Sequence, residues 1–142
     1  MQFFLPMKPP TVTHHAKELR AFMKDGKPKA VLHDSAELKD ARAKLHAALA
    51  PHRPAQPLQG AVRLLAWWCF PLEGKHRDGE YKTSKPDNDN LQKALKDCMT
   101  SLGFWKDDAQ VASELVEKYW SAVPGIFIKI TDLEAKSNVE RA

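Results

Sequence analysis

The sequence predicts a single small α/β domain of the α+β kind, in which a mixed or mostly antiparallel sheet packs against two main helices. Three observations carry this. Apolar residues recur at helical spacing between Asp34 and Pro51 and again over residues 88–102. Residues 125–133, GIFIKITDL, alternate cleanly, with Ile126, Ile128 and Ile130 set against Phe127, Lys129 and Thr131. Residues 61–70, AVRLLAWWCF, are an apolar, aromatic-rich run of strand length. At 142 residues, 43% hydrophobic and 28% charged, the chain is long enough to bury a core of its own.

Taken in order, residues 2–5 (QFFL) read as a short strand stopped by Pro6. KPPTVTHH follows as a Pro-stiffened extended segment, and residues 29–33 (KAVLH) read as another short strand. The first helix is capped by Asp34 or Ser35, with Glu37 three residues after Asp34. It carries Leu38, Ala41, Leu45, Ala48 and Leu49 on one face and ends at Pro51. HRPAQPLQG is a connection, and 61–70 is a buried strand closed by Pro71. Its tryptophans, Trp67 and Trp68, alternate across the strand, so one belongs to the core and the other to an outer, dimer-supporting face. Residues 72–86 form a polar loop. The second helix runs from about residue 88 to 102, with Gly103 as its C-terminal cap. Residues 109–120 and 125–133 close the domain as two strands. The domain spans residues 1–134, and the polar tail 135–142 is expected to fray.

Composition removes several classes. No apolar run approaches the ~20 residues that cross a bilayer. The N-terminus lacks the basic head and apolar core of a secretory leader. Cys69 and Cys98 sit in apolar settings without a CxxC pair, as buried thiols do in a reducing compartment. A cytoplasmic protein is expected. The formal net charge is +4. Basic residues gather in two segments read as loops, 8–29 and 75–85. They hold Lys8, Lys17, Arg20, Lys75, Arg77, Lys82 and Lys85, residues fit to meet a polyanion such as DNA. On charge alone, two solvated loops explain them as well.

Acid collects in KPDNDNLQKALKD and in GFWKDDAQV. A calcium EF-hand fails, because a loop opening at Asp87 has Leu91, Gln92 and Cys98 where oxygen ligands and Gly are needed. Capping explains one acid before the helix. On the helix, Leu91, Leu95, Cys98, Met99 and Leu102 form an apolar stripe. Asp89, Lys93 and Lys96 fall opposite, so Asp89 and Lys93 are expected to pair. Asp107 and Asp108 suit a turn. If the helix start and that turn lie together, Asp87, Asp89 and Asp108 become a carboxylate cluster suited to Mg²⁺ or Mn²⁺ and to phosphodiester hydrolysis. Spacing leaves these readings open. Phe104 and Trp105, beside the acids, are expected to pack the motif turn.

PDNDNLQKALKDCMTSLGFWKDDAQV, residues 86–111, resembles the signature of the RusA-type Holliday junction resolvases, D-x-D-N-L-x-K, a helix, then G-F/W-x-D-D-x-Q-V. The likeness covers spacing as well as residue type. The family's order of strands and helices fits most of the rest of the chain. Two stretches depart from the pattern: KHRDGEYKTSK is less Arg-rich than usual, and TVTHHAKELR replaces an Asn/Tyr-rich segment. The resemblance implies a homodimeric endonuclease of phage or prophage origin that cuts four-way DNA junctions symmetrically. It implies dependence on Mg²⁺, with Mn²⁺ substituting, and 5′-phosphate and 3′-hydroxyl products. By the same resemblance Asp87, Asp89 and Asp108 hold the metal and Lys93 assists the reaction. Asn90, Asp107 and Gln110 match motif positions too. The rival from another class is a non-catalytic branched-DNA binding protein, and a weaker one is a nuclease for flaps or forks.

Overall fold

A computed structural model of the chain describes residues 1–11 and 17–134; for residues 17–20, 22 and 30–34 only the backbone is described. The histidine pair His14–His15 and the tail 135–142 lie outside the described residues. Six strands and two helices follow in order. They are β1 (Gln2–Leu5), β2 (Lys17–Lys24), β3 (Lys27–Asp34), α1 (Ala36–Leu49), β4 (Val62–Pro71), α2 (Asn88–Ser101), β5 (Val111–Ser121) and β6 (Gly125–Asp132). Short 3-10 turns occupy Ala50–His52 and Asp108–Gln110.

The main sheet has the order β1-β6-β4-β5. β6 runs antiparallel to both β1 and β4, whereas β5 runs parallel to β4, so the sheet is mixed. A parallel neighbour needs a crossover. Here the crossover is α2, which lies between β4 and β5 in sequence.

One sheet face is covered. Along β4 the even positions Val62, Leu64, Ala66, Trp68 and Phe70 are buried, and they meet Leu91, Leu95 and Met99 of α2 and Leu45 and Leu49 of α1 in one core. Trp68 is the core tryptophan, while Trp67 faces outward against Tyr119 and Phe127. Phe104 and Trp105 are fully buried, so they pack the turn after α2 as expected.

Caps mark the start of α1 and the end of α2. Ser35, not Asp34, caps α1, its Oγ accepting from the Leu38 amide at 3.1 Å. At the end of α2, Gly103 has φ +83°, Phe104 N–H bonds Met99 O and Gly103 N–H bonds Thr100 O. That pair of bonds is a Schellman closure, which needs a left-handed residue at the glycine.

Not all of the segment 8–29 is a loop. Most of it joins 29–33 in the antiparallel hairpin β2–β3. Its two turn residues, Asp25 (φ 54°) and Gly26 (φ 73°), both have positive φ, as a tight type I′ turn requires. The polar loop 72–86 is a loop, but it is docked. Residues 79–82 run alongside β5, with Gly79 N–H to Trp120 O, Trp120 N–H to Glu80 O and Lys82 N–H to Lys118 O. This covers the open edge that β5 presents as the outer strand.

Candidate active site: an acid- and lysine-lined cleft beside α2

Helical spacing sends Asp89, Gln92, Lys93 and Lys96 to one side of α2, at i, i+3, i+4 and i+7. The facing wall comes from Asp108 in its 3-10 turn and from Glu114 and Val116 of β5. Together they line an open cleft of about 410 Å³.

The turn that carries Asp108 is built by its neighbours. Asp107 Oδ1 accepts from the Ala109 amide at 2.9 Å, and Gln110 Oε1 accepts from the amides of Lys106 and Asp107. Gln110 Nε2 then donates to Leu58 O and Gly60 O, tying the turn to the connection before β4. Asp107 and Gln110 are therefore occupied in holding the turn, and Asp108 is the acid left to face the cleft.

Two of the three expected acids come together. Asp89 and Asp108 line the cleft, whereas Asp87 does not. Asp87 stands at the N-cap position of α2, yet its side chain makes no cap bond. Its Oδ2 instead accepts from Lys85 Nζ at 2.9 Å, just before the helix. Among the described residues, no three His, Cys, Asp or Glu side chains stand close enough to hold a metal ion as they are placed.

The expected Asp89–Lys93 pair is also replaced. Lys93 Nζ bonds Asp97 Oδ1 at 2.9 Å and stands 3.9 Å from Asp108 Oδ2. The acid-before-lysine order of Asp89 and Lys93 is the favoured one at this spacing, but Lys93 reaches forward to Asp97, where its ammonium also stands beside Asp108. The bond to Asp97 and then its charge raise the Lys93 pKa, with Asp108 adding to them, so the ammonium is held protonated.

Glu114 is a cleft residue that lies beyond the motif and is not marked by it. Its Oε2 accepts from Gln92 Nε2 at 2.6 Å and its Oε1 from Lys96 Nζ at 3.0 Å. The signal was present. In the β4–β5 register Leu64 pairs with Glu114 and Trp68 with Lys118, so the even residues of β5 face the helices. Alternation alone puts Glu114 in series with Val116 and Trp120.

The basic residues divide. Lys8, Lys75, Arg77 and Lys85 are exposed, and Lys85 is paired to Asp87. Lys17 and Arg20 lie in β2, where only the backbone is described. Lys82 is buried, at 8% exposure. Its ammonium donates to Ser84 Oγ and Lys85 O and sits over the rings of Phe70 and Trp120, 5.1 and 4.5 Å from their centroids. Lys118 Nζ donates to Ser84 O and Pro86 O, both at 2.7 Å. Burial lowers the pKa of both lysines. These two cations hold the peptide that leads into Asp87.

Among the described residues no helix is long and apolar enough to cross a membrane. The class comes from the family match, that of a small endodeoxyribonuclease: the model of the family described as Endodeoxyribonuclease RusA matches residues 9–131. The chain belongs to the RusA family. It is 33% identical over 91 residues to the crossover junction endodeoxyribonuclease rusA of Lactococcus phage r1t, covering 63% of this chain and 70% of that protein. It is also 40% identical over 53 residues to the uncharacterized protein YqaN of Bacillus subtilis (strain 168), 37% of each chain.

Proposed function

We propose that the chain is a divalent-metal-dependent endonuclease that resolves four-way DNA junctions by paired, symmetric nicks, in recombination and repair in the bacterial or phage-infected cytoplasm. The observation that carries this reading is the facing of Asp89 and Asp108 across one cleft, with the Lys93 ammonium between Asp97 and Asp108. The family and the phage relative agree with it.

The donor set fits Mg²⁺ or Mn²⁺ by its chemistry, since it offers carboxylate oxygens and no sulfur or imidazole. Asp89 and Asp108 would hold the ion, joined by Asp87 once its side chain turns from Lys85. Held there, a divalent ion would supply Lewis acidity to the scissile phosphate and to the attacking water. Lys93, held protonated, supplies positive charge where negative charge grows on the phosphate oxygens. Asp107 and Gln110 keep Asp108 in place through the turn. Lys8, Lys17, Arg20, Lys75, Arg77 and Lys85 would carry the junction arms through phosphate contacts. Two-fold related nicks call for two clefts with the same symmetry, so a homodimer is part of the reading.

The test is cleavage of a labelled, immobile four-way junction in Mg²⁺ or Mn²⁺ beside duplex and flap controls. Paired nicks on the junction alone, ligatable and lost in Asp89→Asn while binding persists, are expected. Tight binding without nicks in either metal would make the chain a branched-DNA binding protein instead.

A further inference from the structure

We propose that Lys96 contacts a phosphate of the bound DNA strand, and that Gln92 and Glu114 are positioning residues that hold it at the cleft. The proposal rests on the nuclease reading for the identity of the strand, but its geometry stands apart from the acids assigned to the metal.

The geometry is a relay that starts in the core. Trp68 is fully buried, and its indole N–H can only donate. It donates to Gln92 Oε1 at 2.9 Å. That bond fixes which end of the Gln92 amide points inward, so Nε2 must point at Glu114, where it donates at 2.6 Å. Gln92 is itself 4% exposed, which leaves it no competing partner in water. Glu114, held by one oxygen, receives Lys96 with the other at 3.0 Å.

A buried glutamine bonded to a buried tryptophan is a poor way to fill a core, where Leu at position 92 would pack without polar atoms to satisfy. The relay makes sense if its output matters. Its output is the placement of one ammonium group, whose side chain is 22% exposed at the cleft wall. The contrast is Lys44 with Asp40, an exposed pair of 71% and 65% that nothing buried anchors. Lysine carries three N–H donors, and Glu114 takes one. The Glu114 charge is already met by Lys96 and Gln92, so the pair can stand beside a phosphate without a bare carboxylate facing it.

The test uses the full chain and an immobile four-way junction. Binding is measured without divalent metal over a range of KCl, and single-turnover cleavage is measured in Mn²⁺. Lys96→Met is expected to weaken binding about tenfold and to reduce the salt slope by about one. Glu114→Gln should weaken binding severalfold in the wild-type background and cause no further loss on top of Lys96→Met. Lys96→Arg should restore most of the binding. An unchanged salt slope in Lys96→Met overturns the phosphate contact. An equal loss from Glu114→Gln with and without Lys96 overturns the positioning role, and would make Glu114 act directly. Should Glu114→Gln fail to fold in a thermal melt, Lys96→Met and Lys96→Arg at their partly exposed site still decide the contact. Wild-type binding without cleavage sinks the nuclease reading alone, because the salt slope reads Lys96 without it.

Discussion

Lys93 Nζ stands 3.9 Å from Asp108 Oδ2 while bonding Asp97 Oδ1 at 2.9 Å, so one ammonium links the helix to the turn across the cleft. Lys93→Met is expected to lower single-turnover cleavage on the order of a hundredfold, with little change in junction affinity. The sign of the pH dependence follows from the raised pKa. Lys93 keeps its proton to beyond the ordinary lysine value of 10.5, so no falling limb belongs to it between pH 7 and 10. A wild-type rate that falls between pH 8 and 9, and a flat profile in Lys93→Met, would make Lys93 a proton donor with a lowered pKa.

Asp87 offers a separation of structure from chemistry. Because its side chain does not bond the helix N–H groups, Asp87→Ala should change stability by less than about 1 kcal/mol. Cleavage should nonetheless be lost. Urea unfolding and junction cleavage on the same preparation check both halves, and full activity in Asp87→Ala would remove it from the metal's ligands.

Lys82 should behave unlike the loop cations around it. Lys82→Met removes two hydrogen bonds from a buried ammonium and should cost about 1–3 kcal/mol of stability. The salt slope of DNA binding should not move. Lys75→Ala and Arg77→Ala should do the reverse, each lowering the slope by about one with stability intact.

Trp68→Phe leaves Gln92 Oε1 buried without its donor. The orphaned acceptor should cost about 1–3 kcal/mol beyond the lost volume. A midpoint shift in urea at constant m-value is the expected signature.

Burial pushes the Cys98 thiol up to about 11 and raises Cys69 as well. At pH 8 such a Cys98 is thiolate in only about one molecule in a thousand, so iodoacetamide should spare it in the folded protein. Both cysteines should label in guanidinium. Rapid labelling of native Cys98 would mean that the α1–α2 seam opens.

Periodicity carried β6 and both helices, which repeat their patterns over enough residues to be read, while β4 showed itself by its apolar, aromatic-rich composition. β4 through β6 and α2 fall within a few residues of the expected bounds. The hairpin β2–β3 was legible in the pair Asp25-Gly26, whose turn chemistry was overlooked among the surrounding lysines. The acids were legible as a motif, but their directions were not. Whether Asp87 meets Lys85 or the cleft is a matter of rotamer, not of spacing. Lys82 reads in the sequence as one more DNA-facing cation, because the partners that bury it, Phe70 and Trp120, come from two distant strands. No local pattern reports that.

The crossover by which β5 comes to lie parallel to β4 bears on the order in which the cleft is assembled as the chain is made. Trp68, Gln92 and Glu114 are contributed by β4, α2 and β5, successive members standing 24 and 22 positions apart in the sequence. During synthesis the acids of α2 emerge well before the strand that completes the cleft wall. A chain that stops ahead of Glu114 carries the acids of the cleft but lacks the strand that forms its facing wall. The cleft is therefore completed late in synthesis, after its acids have already been made.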